Sequence, residues 1–261
     1  MTALGDVSGN GSRGAEKEEE KTVNNKEISQ AVVARLPRYY RYLGDLRDEG
    51  VERISSQELS KIMHVTASQI RQDFNHFGGF GQQGYGYNTD YLYEEIGKIL
   101  GLDHPHNMIL IGAGHLGSAL IGYMNFRRRG YLFKAAFDIN EALFNQTISG
   151  IPVYPMSDMP DYIKNNNIDI VVITISKQEA VKVVEVLNRC PIKAIWNFAH
   201  CELEVREDIQ VENVHLSDSL MQLSYQIRQY ELRHSREEED GKKDSTRHPA
   251  GKHPHKSEEA G

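Results

Sequence analysis

The strongest constraint on this chain is a glycine pattern with a strand in front of it and a helix behind it. Met108 to Ile111 is a short, continuous apolar run, the pattern of a buried parallel strand. It leads directly into Gly112-Ala113-Gly114-His115-Leu116-Gly117 and then into helical apolar spacing through Leu120, Ile121 and Met124. About 20 residues past the last glycine, a second apolar stretch from Phe133 ends in Asp138. Strand, G-x-G-x-x-G, helix and a distant acid form the dinucleotide-binding fingerprint. Gly112 permits the tight turn, Gly114 admits a pyrophosphate to the backbone, and Gly117 lets the helix sit close to the strand. The helix N-terminus offers unpaired N–H groups to the phosphates. Asp138 suits a ribose diol and disfavours a 2′-phosphate, so the expected ligand is NAD(H). Ala113, His115 and Leu116 complete the loop that would line it.

Beyond Asp138 the α/β alternation continues, and a Rossmann parallel sheet is expected over residues 107–216. Strands are read at Gly150–Tyr154, Ile168–Thr174 and Ile192–Phe198, with helices at Pro155–Asn166 and Gln178–Leu187. Ligands bind at the carboxyl ends of such strands. Thr174, Ser176, Asn197 and Phe198 are therefore candidates for the nicotinamide side, or else ordinary strand-end residues. Ser217 and Asp218 open a last helix, expected over 217–232, with Leu220, Leu223, Ile227 and Tyr230 on one stripe. That stripe is either core cover or, as favoured here, a subunit interface.

The N-terminal part reads differently. Ile28 to Glu49 has helical apolar spacing broken at Pro37. Arg35, Arg38 and Arg41 recur on one side of it, as a solvated face or as phosphate contacts. Two capping boxes follow, Ser55 to Glu58 and Thr66 to Gln69. The second opens a helix whose Ile70, Phe74 and Phe77 share a face and whose Ser68, Gln69, Arg71, Gln72 and Asn75 lie opposite. A helix, a tight turn at His64–Val65, and a helix with such a polar face predict a helix-turn-helix that reads DNA in the major groove. A small helical bundle with a polar exterior is the plainer alternative. Glycines interleaved with aromatics from Phe77 to Tyr87 then suit a hairpin wing carrying Gln82, Gln83 and Tyr85. A winged-helix domain is expected over 26–101.

Composition enters as a limit. The 261 residues suffice for one large or two modest domains. Residues 1–25 and 233–261 are charge-rich and nearly free of apolar side chains, so both read as disordered tails. His248, His253 and His255 in the second tail read as solvated, and no metal site is expected. The net charge of −7 excludes a general polycation, so DNA affinity has to come from a local surface, helped by a dimer reading two half-sites of a palindrome. Two cysteines, Cys190 and Cys201, fit neither a zinc site nor a disulfide framework, and match a reducing cytoplasm. No run has the apolar length of a membrane span.

Taken together, Arg35 to Arg41, Arg53 to Leu59, Gln69 to Phe74, Gly84 to Asn88, Gly112 to Leu120 and Ala136 to Asp138 resemble the Rex redox-sensing transcriptional repressors over about residues 28–232. The resemblance implies a cytoplasmic homodimer with a winged-helix domain, a Rossmann domain and an exchanged C-terminal helix. It implies that NADH favours a closed dimer that releases operator DNA, while NAD+ competes without causing release. It matches Tyr123 to a tyrosine of the nicotinamide pocket and Asp218 to an acid of the switch. His115, Gln72, Gln82-Gln83, Ser176 and His200 depart from the family pattern. Loss of recognition-helix and wing cations predicts a salt dependence shallower by roughly one unit per lost phosphate contact. An NAD-dependent dehydrogenase is disfavoured because little chain remains for a substrate domain and no His–acid relay stands out. A CoA-binding module is disfavoured by the winged-helix signature. The expectation is a switch and not an enzyme.

Overall fold

The computed structural model describes residues 29–75, 81–82 and 85–245, with side chains up to 235 outside the wing. The expected tail at 1–25, Phe77 and Gln83 lie outside the described residues, as do the histidines beyond 245. The chain divides between His104 and Pro105 into two compact units.

In the first unit, α1 (Gln30–Val33) and α2 (Leu36–Asp48) are separated just before Pro37, which takes the first turn of α2, where its missing N–H is harmless. Then come β1 (Arg53–Ile54), α3 (Ser56–Met63), α4 (Ala67–Asn75), β2 (Gly81–Gln82), β3 (Gly86–Asn88) and α5 (Thr89–Ile99). The capping box at Ser55 and Glu58 forms in full. The second forms by half: Thr66 Oγ1 accepts from Gln69 N–H at 3.1 Å, but the Gln69 side chain turns instead to Asp73. His64 ends α3 in the left-handed region at φ 53°, which makes the turn into α4. β3 lies between β1 and β2 in an antiparallel sheet, the winged-helix arrangement. Leu36, Tyr39, Leu43, Leu59, Met63, Ile70, Phe74, Leu92 and Ile96 form the core. Each contributes about 1.5–3 kcal/mol by burial.

The second unit contains β4 (His106–Ile111), α6 (His115–Gly122), α7 (Met124–Arg128), β5 (Tyr131–Asp138), β6 (Thr147–Ile148), β7 (Ile151–Pro155), α8 (Met159–Asn165), β8 (Ile170–Ile173), α9 (Lys177–Leu187), β9 (Ala194–Asn197), β10 (Gln210–Asn213) and α10 (Leu216–Ser245). The sheet order is β10-β9-β8-β4-β5-β7-β6, parallel except for the β6–β7 pair. This is the Rossmann order with one extra edge strand, and the order reverses between β4 and β8. Period-two alternation sends Ile109 and Ile111 to the face under α8 and α9, and Met108 and Leu110 to the face under α6.

Three sequence expectations change. The helix after the glycine loop stops at Gly122, since Tyr123 is extended, and restarts as α7. The last helix is longer than 217–232: α10 starts at Leu216 and runs to Ser245, into the segment read as a disordered tail. That segment is rich in Arg, Glu and Lys, good helix formers, so charge density alone misread it. β10 was not foreseen, because Gln-Val-Glu-Asn on a sheet edge carries only one apolar residue.

One buried charge ties the first unit together. Asp73 on α4 is 1% exposed. Its Oδ1 accepts from Arg35 Nη2 at 2.7 Å and Gln69 Nε2 at 2.9 Å, and its Oδ2 from Arg35 Nε at 2.7 Å and the Tyr39 hydroxyl at 2.8 Å. Burial pushes the carboxyl up, but the hydrogen bonds from Arg35, Gln69 and Tyr39 outweigh it and hold Asp73 below the usual carboxylate range. The unfolded reference is about 3.9. A depressed folded value means the contribution is present above that reference and is lost as pH falls through the folded value. Asp73→Asn should therefore lower the melting temperature at neutral pH and flatten its fall below about pH 4. Thermal melts followed by circular dichroism across pH check this. An unchanged acid slope in the variant would contradict it.

Candidate functional site

In the second unit, the glycine turn sits at the reversal of strand order, after β4 and beside the end of β8. Gly112 has φ 95°, a region open to glycine, and a Cβ there would come within 2.5 Å of Ile175 Cγ2. A Cβ on Gly117 would stand 2.1 Å from the Gly112 carbonyl oxygen, so α6 rests on the turn with no room for a side chain. Gly114 is the opposite case: its Cβ position meets nothing within 4 Å. Gly114 is also the residue preceding α6 and makes no side-chain cap. The first N–H groups of α6 thus face an open cradle, which fits a pyrophosphate.

Asp138, at the end of β5, braces this turn. Its Oδ2 accepts from Ala113 N–H at 2.6 Å and its Oδ1 from Asn140 N–H at 2.8 Å. A carboxylate has about four acceptor sites, so capacity for ribose hydroxyls remains. Ser118 Oγ donates to the Ala113 carbonyl at 3.0 Å and closes the loop from the helix side. His115 and Leu116 are exposed on the first turn of α6, and Tyr123 is 50% exposed at its end, with its hydroxyl accepting from Asn125 Nδ2 at 2.9 Å.

The strand-end candidates divide. Ser176 is exposed in front of α9, and Phe198 is half-buried against Trp196. Thr174 and Asn197 already make bonds within the protein. The Thr174 hydroxyl donates to the Gly112 carbonyl at 2.7 Å, with the Ile111 carbonyl at 3.0 Å, and so serves the turn. Asn197 is fully buried. Its Nδ2 donates to the Cys201 carbonyl and Asn213 Oδ1, and its Oδ1 accepts from Ala199 N–H. A polar residue at a strand end was legible in the sequence, but not that its bonds were already used. Conversely, Ile139 went unremarked. It is 80% exposed directly after Asp138 and offers an apolar face there. Its signal was an apolar residue continuing past the acid that closes the strand. Asp218 is exposed in the first turn of α10, which presents Leu220, Leu223, Ile227 and Tyr230 to solvent.

In the first unit, Ser68, Arg71, Gln72 and Asn75 are exposed on α4. Arg71 Nη1 donates to Ser56 Oγ at 3.0 Å, which links the outer face of α4 to the start of α3. Gln69 is half-buried and bonded to Asp73. Arg38 and Arg41 are exposed on α2, with guanidinium carbons 5.9 and 5.5 Å from the centre of the Tyr42 ring. Arg38 also donates to the Met63 carbonyl. Arg35 differs from its neighbours: its Nε and Nη2 are bonded to Asp73, so it holds the start of α2 to α4. Tyr85 is exposed in the wing, and Gln82 pairs its backbone with Gly86. Arg53 on β1 joins the wing. Its guanidinium lies 5.7 Å from the centre of the Tyr85 ring and donates to the Tyr85 carbonyl at 3.3 Å, so a cation is held at the base of the wing. The described residues hold no cluster of three or more metal-ligating side chains and no helix long and apolar enough to cross a membrane.

Comparison with known proteins agrees with this division. Residues 27–75 match a family model described as a putative DNA-binding protein N-terminus, and residues 103–201 one described as a CoA binding domain. The redox-sensing transcriptional repressor Rex of Clostridioides difficile (strain 630) is 53% identical over 207 residues, covering 79% of this chain and 99% of the relative. Rex of Clostridium botulinum (strain Hall) is 50% identical over 206 residues, covering 79% and 98%. Among solved structures, RSP in complex with β-NAD+ and operator DNA is 50% identical, with a TM-score of 0.73 over 81% of this chain and 98% of that one. RSP in complex with β-NADH is 48% identical, with a TM-score of 0.73 over 80% and 98%. With a winged-helix unit followed by a Rossmann unit, and about half of the aligned residues identical to these repressors over almost their full length, the chain belongs to the Rex family of redox-sensing transcriptional repressors.

Proposed function

We propose that this chain is a DNA-binding transcriptional repressor that senses the balance of NADH and NAD+. The observation that carries the reading is the open cradle at Gly114, braced by Asp138, in a chain that also presents an Arg/Gln/Asn/Ser face on α4. The cradle takes the pyrophosphate on the amides of Gly114, His115 and Leu116. Asp138 takes the adenosine ribose and Ile139 covers the adenine. A carboxylate at that place disfavours a ribose phosphate, and so disfavours both NADP(H) and CoA. Tyr123, Ser176 and Phe198 supply the nicotinamide side. Reduced and oxidised nicotinamide differ by one positive charge. Aromatic and apolar surroundings prefer the neutral ring, since desolvating a cation is costly.

Sensing requires two states of unequal affinity. The chain acts in the cytoplasm as a homodimer, in which the exposed apolar stripe of α10 packs against the partner and Asp218 takes part in the change. The dimer reads a palindromic operator through Ser68, Gln69, Arg71, Gln72 and Asn75 in the major groove. Arg38, Arg41, Arg53 and the wing residues Gln82, Gln83 and Tyr85 contact the backbone or the adjacent groove. The closed dimer binds the reduced dinucleotide more tightly and no longer fits both half-sites, so reduction of the pool lifts repression.

Calorimetric titration with NADH and, separately, NAD+ tests the reading. It should give far tighter binding of NADH. In Gly117→Ala, where the new Cβ overlaps the Gly112 carbonyl, binding of both should be lost while operator binding in the absence of nucleotide persists. Equal affinities in the wild-type protein would remove the sensing role.

A further inference from the structure

Gln69 is the only member of the proposed reading face of α4 whose side chain is bound to a buried group, and that bond determines which atoms it shows. Gln69 and Asp73 are one turn apart on α4, so their side chains meet. The Gln69 Nε2 donates to Asp73 Oδ1 at 2.9 Å. A carboxylate can only accept, so the amide cannot be flipped to put its oxygen there. Asp73 cannot turn away, because Arg35 grips both of its oxygens at 2.7 Å and the Tyr39 hydroxyl holds Oδ2 at 2.8 Å. The amide is therefore left with one N–H and its carbonyl oxygen to offer. Those are one donor and one acceptor, the pair complementary to N7 and the N6 amino group of adenine.

We propose that Asp73 is a positioning residue for base reading: through the Arg35–Asp73–Tyr39 cluster it fixes the Gln69 amide in the one orientation that recognises adenine. This rests on the reading of α4 as the helix that enters the major groove. The cluster lies on the core side of α4 and touches no base itself. It converts a side chain able to present either end into a reader of one base pair, and does so before DNA arrives. The ordering cost of a flexible glutamine is met on folding and not on binding.

The test uses the full-length dimer and a duplex selected from random sequences by the wild-type protein. Affinity is then measured for every single-base substitution of that duplex. One adenine position should cost the wild-type protein about tenfold or more when changed. Gln69→Ala should erase that penalty. Asp73→Asn, which can offer either an N–H or an oxygen to the amide, should shrink it by about threefold or more and leave the penalties at other positions as they were. A uniform loss of affinity in Asp73→Asn, with the adenine penalty intact, would make Asp73 merely structural and overturn the proposal. No Gln69-dependent position at all would instead overturn the groove reading beneath it, and the proposal with it. If Asp73→Asn does not fold at the assay temperature, side-chain amide relaxation in the wild-type protein decides. A Gln69 amide as rigid as the backbone supports the proposal, and one as mobile as that of Gln72 contradicts it.

Discussion

Helix α6 lies against the turn after β4 so closely that position 117 has no room for a single carbon atom. Much of the second unit is arranged to keep that approach. The Thr174 hydroxyl ties the end of β8 to the turn, Asp138 ties the end of β5 to Ala113, and Gly112 N–H is bonded to the Phe137 carbonyl at 2.8 Å. Three neighbouring strands thus fix one loop and the first turn of one helix. The result is a first turn of α6 held in place, with open space at the Gly114 Cβ position among the described residues. A site that needs no reorganisation loses little affinity to ordering. Small differences between two forms of a ligand can then appear as differences in binding.

The first unit solves a related problem with a charge. A carboxylate buried on α4 would be costly alone, and here it accepts bonds from Arg35, Tyr39 and Gln69. Removing any one partner leaves a buried group short of a bond, which costs more than the bond itself is worth. The same arrangement that joins α2 to α4 also holds the half-buried Gln69 side chain on α4, in contrast to Gln72, which is exposed. Among the described residues of the first unit, Arg35 is paired with Asp73 and Arg47 with Asp90, while Arg38, Arg41, Arg53 and Arg71 are exposed and form no ion pair.

Much of this was legible in the sequence, for identifiable reasons. Gly112 and Gly117 answer to steric rules that leave no room for a side chain, and with the apolar strand before them and Asp138 after them they read directly. Capping at Ser55 and the break at Pro37 are local effects and read as well. What could not be read depends on pairing at a distance. The sequence places Arg35 in line with Arg38 and Arg41, and only the fold reveals Asp73, 38 positions away, bonded to its Nε and Nη2. Asn197 and Thr174 have the chemistry of ligand contacts and spend it on the backbone of neighbouring loops. Strand β10 has too few apolar residues to show a period, and α10 continues through a charged segment that composition marks as unstructured.

The most direct measurement is the thermodynamic coupling between the two units. Operator affinity is measured with and without saturating NADH, and NADH affinity with and without saturating operator. If one two-state dimer links the sites, NADH weakens operator binding and operator weakens NADH binding by the same factor, as linkage requires. NAD+ should produce a much smaller factor. Operator affinity unchanged by NADH, while both ligands bind, would contradict the account, because two working sites would then share a chain without forming a switch.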